Sequence, residues 1–270
     1  MEHKIRSLIE RPQIPQRTPE WYRMRKTMIT ASEVAAALDI KPFASYAGSP
    51  RAFLLEEKRK TVESSGIDNV FTRHGQKYED EARDIYCEMT GEVAYELGLL
   101  VHPRYPWLGC SVDGITDAGY VLEIKCPLSR KIEPGVVPHH YYPQVQICME
   151  VCDLDETKFI QYKPESVTWP KDAEFVITSV PRNREWFADV LPKLEEFYKE
   201  MTAVPQPPEQ QSDPVAVPWK PVDDPEIVPP PFKKLKTTTC FIVDGHKEEP
   251  EEEKQQQCIL FINPSLDDST

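Results

Sequence analysis

Ten of the 27 residues from Pro205 to Pro231 are proline, and this run limits how much of the chain can fold. Proline fixes its backbone φ angle and lacks an amide hydrogen, so a run this dense cannot form a helix or a central strand. We therefore predict a folded domain over residues 1–204 and a Pro-rich, acidic, disordered tail over residues 205–270. Two short apolar segments of the tail, CFIVD and CILFI, are candidate docking segments.

The first 204 residues alternate between the 3.6-residue apolar period of helices and the two-residue period of strands. Thr30-Ala-Ser-Glu33 fits a capping box that begins a helix, and the Lys41-Pro42 step stops it. Asp117-Ala-Gly119 fits a tight turn between two strands. The fold class is therefore predicted as α/β with a mixed β-sheet. Further helices are predicted over 51–60, 75–90, the residues after Pro143 and 183–201, and strands over 96–103, 108–117, 119–127 and 158–164.

The net charge of −13 argues against a nucleic-acid partner, because polyanions are held mainly by Lys and Arg. Residues 205–270 carry 13 acidic and 6 basic side chains, so the tail contributes about half of the excess. Carboxylates that bind cations account for part of the remainder, and local charge distribution matters more than the sum. The charge therefore leaves a nucleic-acid partner open.

Targeting signals and cysteine usage indicate a compartment. No apolar run approaches the roughly 20 residues that cross a bilayer, and the N-terminus does not resemble a signal peptide. We therefore expect a soluble, intracellular protein without a membrane partner, in the cytoplasm or nucleus of the cell. The seven cysteines are odd in number and include no C-x-x-C pair, which indicates free thiols rather than a disulfide framework or a zinc ribbon.

Three ionisable residues on neighbouring predicted strands have the chemistry of a hydrolytic site. Glu123 and Lys125 are two residues apart on one strand, so their side chains project to the same face. Asp113 lies across the predicted turn, close enough to share a cation with Glu123. Metal-binding carboxylates beside an amine suit hydrolysis of a phosphodiester. The alternative is an exposed hairpin with a surface ion pair, but the apolar flanks in VLEIKCP favour the chemical role.

Motifs around these residues resemble a known group of nucleases. SVDGI followed by LEIKCP resembles the S-P-D-G and E-[IVL]-K-[CT]-P signature of the PD-(D/E)xK superfamily, with Val112 in place of the proline. Further segments resemble, in the same order, the phage lambda exonuclease and YqaJ-type viral recombinase family. They are WYRMR with ITAS, RHGQKYE, GLLVHP and YPQVQ. The resemblance covers about residues 15–200 and implies a restriction-endonuclease-like core, with a central mixed β-sheet flanked by helices.

The resemblance also implies roles for individual residues. Lys125 would position the attacking water, and Gln144 would sit beside Lys125 or the scissile phosphate. Gln146 is the alternative to Gln144 at the substrate, since residues two apart on a helix face different ways. The implied ligands of Mg²⁺, for which Mn²⁺ can substitute, are Asp113, Glu123, the carbonyl of Ile124, and Glu79.

Arg25 and Ser32 match the family's pocket for a terminal 5′ phosphate. Ser32 is predicted in the first turn of a helix, where free amides and the helix dipole attract anions. Arg25 supplies a guanidinium fork suited to phosphate. Without the resemblance, the ordinary interpretation of both is a surface arginine and a small helix-start residue.

Together these features imply a Mg²⁺-dependent exonuclease that trims one strand of linear double-stranded DNA from its 5′ end. The product would be a 3′ overhang for recombination or DNA processing. The resemblance further implies a ring-shaped homo-oligomer around DNA. A single-strand annealing protein, recruited through the tail, is a candidate partner. Two alternatives stay open, a structure-specific endonuclease with the same carboxylates and a non-catalytic protein that binds DNA ends.

Overall fold

The computed structural model of this protein describes residues 1–60, 70–203 and 239–244. A 3-10 turn at Ala31–Glu33 accompanies the regular elements. The α-helices are α1 (Glu2–Glu10), α2 (Pro19–Thr27), α3 (Val34–Ala37), α4 (Pro50–Arg59), α5 (Val70–Thr90), α6 (Tyr142–Cys152), α7 (Glu165–Thr168) and α8 (Arg184–Thr202). The strands are β1 (Ile29–Thr30), β2 (Ala94–Tyr95), β3 (Leu100–Val101), β4 (Leu108–Cys110), β5 (Gly114–Thr116), β6 (Val121–Lys125), β7 (Glu156–Lys163), β8 (Glu174–Pro181) and β9 (Thr239–Asp244).

A mixed sheet of six strands, in the order β2-β5-β6-β7-β8-β9, forms the centre of the fold. Strands β6 and β7 run parallel, as do β8 and β9, whereas the other neighbours are antiparallel. A smaller sheet has the order β1-β4-β3. These features confirm the predicted α/β class with a mixed sheet flanked by helices.

The side chains of strand β6 pack into two hydrophobic cores, one on each face of the central sheet. Its residues alternate between the two faces, as the two-residue period of a strand requires. Val121 packs in the core that contains residues of α6 and α8. Leu122 and Ile124 pack in the second core, with Tyr78 and Ala82 of α5. Glu123 therefore points to the same side as Val121, toward α6.

Several helix boundaries differ from their predictions. Helix α5 begins at Val70, five residues before the predicted start, and buries Tyr78, Ala82 and Tyr86. The capping box at Thr30 and Glu33 is present, as predicted. The helix that follows it is nevertheless shorter than predicted, because α3 ends at Ala37 rather than near the Lys41-Pro42 step. A 3-10 turn precedes α3, and the Leu38 amide donates a hydrogen bond to the Val34 carbonyl at the end of the helix.

The candidate docking segment CFIVD lies in β9, which pairs in parallel with β8 over its whole length. Of the tail predicted over 205–270, residues 239–244 therefore form a strand. The proline run, the second docking segment CILFI and the rest of the tail lie outside the described residues. Within the parts of the chain that the structure describes, no helix is long and apolar enough to cross a membrane. Among the described residues, five cysteines are free thiols: Cys87, Cys110, Cys126, Cys148 and Cys152.

Candidate active site

The hairpin of β5 and β6 brings Asp113 and Glu123 together. Gly114 pairs with Leu122 in this antiparallel ladder, so Asp113, one residue earlier, lies opposite Glu123. The turn is closed by a hydrogen bond from the Gly119 amide to the Thr116 carbonyl, with Gly119 at a φ of 93°. A positive φ is readily adopted by glycine, and this fixes the register that places the two carboxylates.

Asp113 is held by the strand beside it. Its Oδ2 atom accepts a hydrogen bond of 2.6 Å from the amide of Ile124. Its main-chain carbonyl accepts a hydrogen bond of 3.0 Å from Nε of Arg83, on helix α5. Burial raises the pKa of the Asp113 carboxyl, although the charge of Lys125 opposes this effect. The side chain is thus fixed in position but poorly compensated in charge.

Glu123 is fully buried, with 0% of its surface exposed. Its Oε1 atom contacts Nζ of Lys125 and accepts a 2.6 Å hydrogen bond from Nε2 of Gln144. Its Oε2 atom has no hydrogen-bond partner among the described residues. Burial raises the pKa of Glu123 to about 7 despite the charge of Lys125. The carboxylate therefore has one anchored oxygen and one oxygen free to bind a ligand.

Lys125 sits on the same face as Glu123, as the strand period predicts. Burial acts to lower the pKa of Lys125, but the carboxylates of Glu123 and Asp113 outweigh it and raise that pKa above its usual range. Its Nζ atom also lies 5.0 Å from the ring centroid of Tyr141. The lysine is therefore charged and confined next to the carboxylate pair.

Helix α6 presents Gln144 to the site and turns Gln146 away from it. The Gln146 side chain donates to the carbonyl of Pro181 at 2.9 Å and accepts from the amide of Asn183 at 2.7 Å. Those groups join β8 to α8, on the far side of the helix from Glu123. Of the two glutamines, the structure brings Gln144 to the carboxylates, because residues two apart on a helix point in different directions. The substrate-binding role considered for Gln146 stays a prediction.

Glu79 reaches the same site from helix α5, where it lines a cleft together with Asp113. Its Oε2 atom lies 3.0 Å from Nη2 of Arg17, and its Oε1 atom lies 3.7 Å from Nη2 of Arg83. Burial, and then the charge of Asp113, raise the pKa of Glu79 to about 7. The cleft has a volume of about 450 Å³, and Arg17, Arg83 and Val112 also line it.

The donor set fits a divalent cation. Carboxylate oxygens are the ligands that Mg²⁺ prefers, and the partnerless Oε2 of buried Glu123 is an oxygen that a cation would satisfy. A nearby cation would also offset the burial and the charge of Asp113, which raise the pKa of Glu79 and Glu123. In the described ranges, no three His, Cys, Asp or Glu side chains converge into a complete metal-binding group. Glu79 is instead paired with Arg17.

Arg25 and Ser32 lie together, as the resemblance implies. Nη2 of Arg25 donates to Oγ of Ser32 at 3.2 Å, and the guanidinium lies 4.4 Å from the ring centroid of Trp21. A carboxylate is present as well, since Oε1 of Glu33 is 3.6 Å from Nη2 of Arg25. Buried Lys58 balances that charge, with its Nζ atom 2.8 Å from the second oxygen of Glu33.

The expectation that helix amides make this an anion site needs correction. The 3-10 turn and α3 together span seven residues, so their dipole is small. The Thr30 amide is also taken by Oε2 of Glu33 at 2.9 Å. The positive charge at this pocket therefore comes from Arg25 and Lys58 rather than from a helix terminus.

Three residues at the site are not identified by the sequence analysis. Arg83 lies one helical turn after Glu79, a spacing that could have indicated an ion pair. Ser111 is two residues before Asp113 and accepts a 2.8 Å hydrogen bond from Nε1 of Trp21, which links the Arg25 pocket to the carboxylate strand. Arg17 has no local signal, because its partner Glu79 is 62 residues away.

Fold and site together define a class of α/β protein, in which a mixed sheet carries a buried pair of carboxylates and a lysine on one hairpin. The model of the YqaJ-like viral recombinase domain matches residues 20–155, about half of the chain. The chain therefore belongs to the family of YqaJ-like viral recombinase domains.

Solved structures share this fold. An alkaline exonuclease from Laribacter hongkongensis is similar at a TM-score of 0.57 and 25% identity, over 68% of this chain and 92% of that one. A phage related exonuclease from Haemophilus somnus 129PT is similar at a TM-score of 0.50 and 14% identity, over 64% of this chain and 93% of that one. The second likeness concerns the fold alone.

Two viral proteins are similar in sequence. Uncharacterized protein R354 of Acanthamoeba polyphaga mimivirus is 30% identical over 56% of this chain and 30% of its own length. Protein D345L of African swine fever virus is 24% identical over 54% of this chain and 48% of its own length. The chain thus spans less than half the length of both relatives.

Proposed function

We propose that this protein is a Mg²⁺-dependent deoxyribonuclease that hydrolyses phosphodiester bonds of linear double-stranded DNA. The observation that carries the proposal is the buried Glu123 carboxylate, which is anchored through one oxygen by Lys125 and Gln144 and leaves the other without a partner. Burying an ionised group is costly, and such an arrangement is typical of catalytic centres rather than structural ion pairs. Membership of a viral recombinase family and likeness to an alkaline exonuclease support the same activity.

The residues of the site would have separate roles in hydrolysis. Asp113, Glu123, the Ile124 carbonyl and Glu79 would hold divalent cations, Mg²⁺ or Mn²⁺. When bound, such cations activate water and offset the charge of the phosphate in a two-metal arrangement. The Lys125 ammonium orients the attacking water and stabilises negative charge that develops on the phosphate. Gln144 fixes the rotamer of Glu123.

An exonuclease acting from the 5′ end is the form of the activity that the Arg25 pocket favours. Arg25 and Ser32 pair a guanidinium with a hydroxyl, both donors to a phosphate, within one half-buried cluster. Trp21 connects this cluster to Ser111, two residues before Asp113, so a phosphate held there lies near the carboxylates. The product would be a 3′ overhang, suited to recombination or DNA processing.

The same proposal covers assembly and location. A ring-shaped homo-oligomer would keep such an enzyme on its DNA, and a single-strand annealing protein would take up the overhang. The protein would act inside the host cell, in the cytoplasm or nucleus. These statements rest on the family resemblance of the sequence.

Release of soluble nucleotides from 5′-phosphorylated linear duplex with Mg²⁺ tests the proposal. A covalently closed circle and the Lys125→Ala variant serve as controls. Degradation of the linear DNA alone, with an inert variant, would support an exonuclease. Digestion of both substrates would indicate an endonuclease, and digestion of neither would indicate a protein that only binds DNA ends.

A further inference from the structure

Arg17 stands at the cleft that leads to the carboxylates, and its side chain is only half buried. Its Nη2 atom donates to Oε2 of Glu79 at 3.0 Å, with 50% of the Arg17 side chain and 20% of the Glu79 side chain exposed. Across the described ranges, Glu79 is the ion-pair partner that the structure gives to Arg17. Arg17 is therefore exposed enough to release Glu79 and bind another group that enters the cleft from solvent.

The segment that carries Arg17 is held by the residues that precede strands β3 and β5. Gln16 donates hydrogen bonds to the carbonyls of Leu97 at 2.8 Å and Val112 at 3.0 Å. The backbone also approaches Gly98 so closely that an added Cβ would lie 2.4 Å from the carbonyl oxygen of Ile14. These contacts hold the backbone next to Arg17 beside Val112, the residue before Asp113, so a change of partner by Arg17 would be a movement of its side chain.

The backbone of Arg17 adopts a conformation that arginine rarely takes. Its φ is 63°, in the left-handed region, and the other described non-glycine residues with positive φ are Asp39 and Asp153. Aspartate is among the residues enriched there, whereas a long cationic side chain is not. A strained backbone that persists beside a functional site points to a use for the side chain.

Arg83 provides the contrast within the same cleft. Its side chain is 12% exposed and is tied to the Asp113 carbonyl and the Glu96 carboxylate as well as to Glu79. A guanidinium held by several partners positions its surroundings but cannot leave them. Arg17, by comparison, has a single carboxylate to give up and an open path toward the cleft.

We propose that Arg17 stands in for a cation at Glu79 and, when a divalent metal takes that carboxylate, turns to bind a backbone phosphate of the DNA strand in the cleft. The proposal rests on the proposed function, because it requires both the metal and the DNA. Arginine suits the second role, since its planar fork matches phosphate oxygens. The exchange would couple release of Arg17 to assembly of the metal site, so that the loaded centre gains a DNA contact.

Metal affinity tests the first half of the exchange. The variant Arg17→Asn removes the charge while keeping a residue that tolerates positive φ. Titration with Mn²⁺ alone, without DNA, should give a dissociation constant about two to five times lower than that of the wild type, as expected for loss of one competing exposed ion pair. Arg184→Asn breaks an exposed pair of 2.7 Å with Asp155 and should leave Mn²⁺ affinity unchanged.

The salt dependence of DNA binding tests the second half. Both proteins carry Lys125→Ala, so that a 5′-phosphorylated duplex with Mg²⁺ is bound but not cut. Adding Arg17→Asn should weaken binding and reduce the slope of log affinity against log salt by about one phosphate contact, roughly 0.9. Arg17→Lys retains the charge and should restore most of that slope.

The outcomes separate this proposal from the nuclease assignment. Mn²⁺ affinity that is unchanged or weaker in Arg17→Asn overturns the competition for Glu79. An unchanged salt slope overturns the phosphate contact. If the Lys125→Ala parent binds no duplex and the wild type cuts none, the proposed function fails, whereas the Mn²⁺ titration needs no DNA and still tests the competition.

Discussion

Replacing Glu123 by glutamine should remove a pH-dependent cost of folding from the metal-free protein. Burial raises the pKa of Glu123 from 4.5 to about 7 in the folded state, while the unfolded chain titrates near 4.5. Between these values the unfolded state has lost the proton and the folded state still holds it. The folded state therefore loses stability as the pH rises from about 4.5 to about 7, and the cost is constant above that range.

The size of this cost follows from the two pKa values. A pKa that rises from 4.5 to about 7 corresponds to about 3 kcal/mol of unfolding free energy lost at high pH. Glutamine keeps the shape of the side chain and an oxygen that accepts from Gln144. The charged contact with Lys125 forms only where Glu123 is ionised, and its effect is already contained in the pKa of about 7. Comparing the variant with the wild type at two pH values therefore isolates the titration of Glu123.

Urea unfolding in the presence of a chelator, at pH 5 and pH 8, measures the effect. The stability of Glu123→Gln relative to the wild type should improve by about 2 to 3 kcal/mol between the two pH values. Glu88→Gln, at an exposed position on the same helix as Glu79, serves as the control and should show no such change. A change below about 0.5 kcal/mol for Glu123→Gln would refute the view that burial outweighs the charge of Lys125 at Glu123.

Replacing Gln144 by leucine and replacing Gln146 by leucine should have opposite effects on turnover and on stability. Gln144→Leu frees the Glu123 rotamer and should lower nuclease turnover by about tenfold or more with little loss of stability, as kinetics and urea unfolding on one preparation would reveal. Gln146→Leu leaves the Pro181 carbonyl and the Asn183 amide without their hydrogen-bond partner. The variant should lose about 1 to 3 kcal/mol of unfolding free energy in urea, while turnover stays near normal. Gly98→Ala should destabilise by about 1 to 3 kcal/mol, because its Cβ would meet the Ile14 carbonyl at 2.4 Å; an unchanged urea midpoint would contradict that close approach.

Local patterns predict the hairpin and the carboxylates that it carries. The turn at Asp117-Ala-Gly119 and the two-residue alternation of β6 are short-range features, so they place Asp113, Glu123 and Lys125 without knowledge of the rest of the fold. The same holds for the capping box at Thr30. The role of the pair as metal ligands stays a prediction.

Other elements depend on packing that no local pattern contains. Strand β8 buries its interior residues, polar Thr178 and Ser179 included, and it shows no two-residue alternation that would separate it from a helix. Strand β9 pairs with β8 across a long separation along the chain. The length of α3 is also set by its surroundings, since its apolar residues continue past the point where the helix ends.

Glu79 and α6 show most clearly which features the sequence determines by itself and which depend on the tertiary structure. The sequence places Glu79 on a helix and Gln144 and Gln146 two residues apart on another, because helical periodicity is local. Which glutamine meets Glu123 depends on how α6 is rotated against β6, a property of packing. That Glu79 meets Arg17 depends on the chain folding back over 62 residues, because contacts of that range form only when the N-terminal segment docks on the strands.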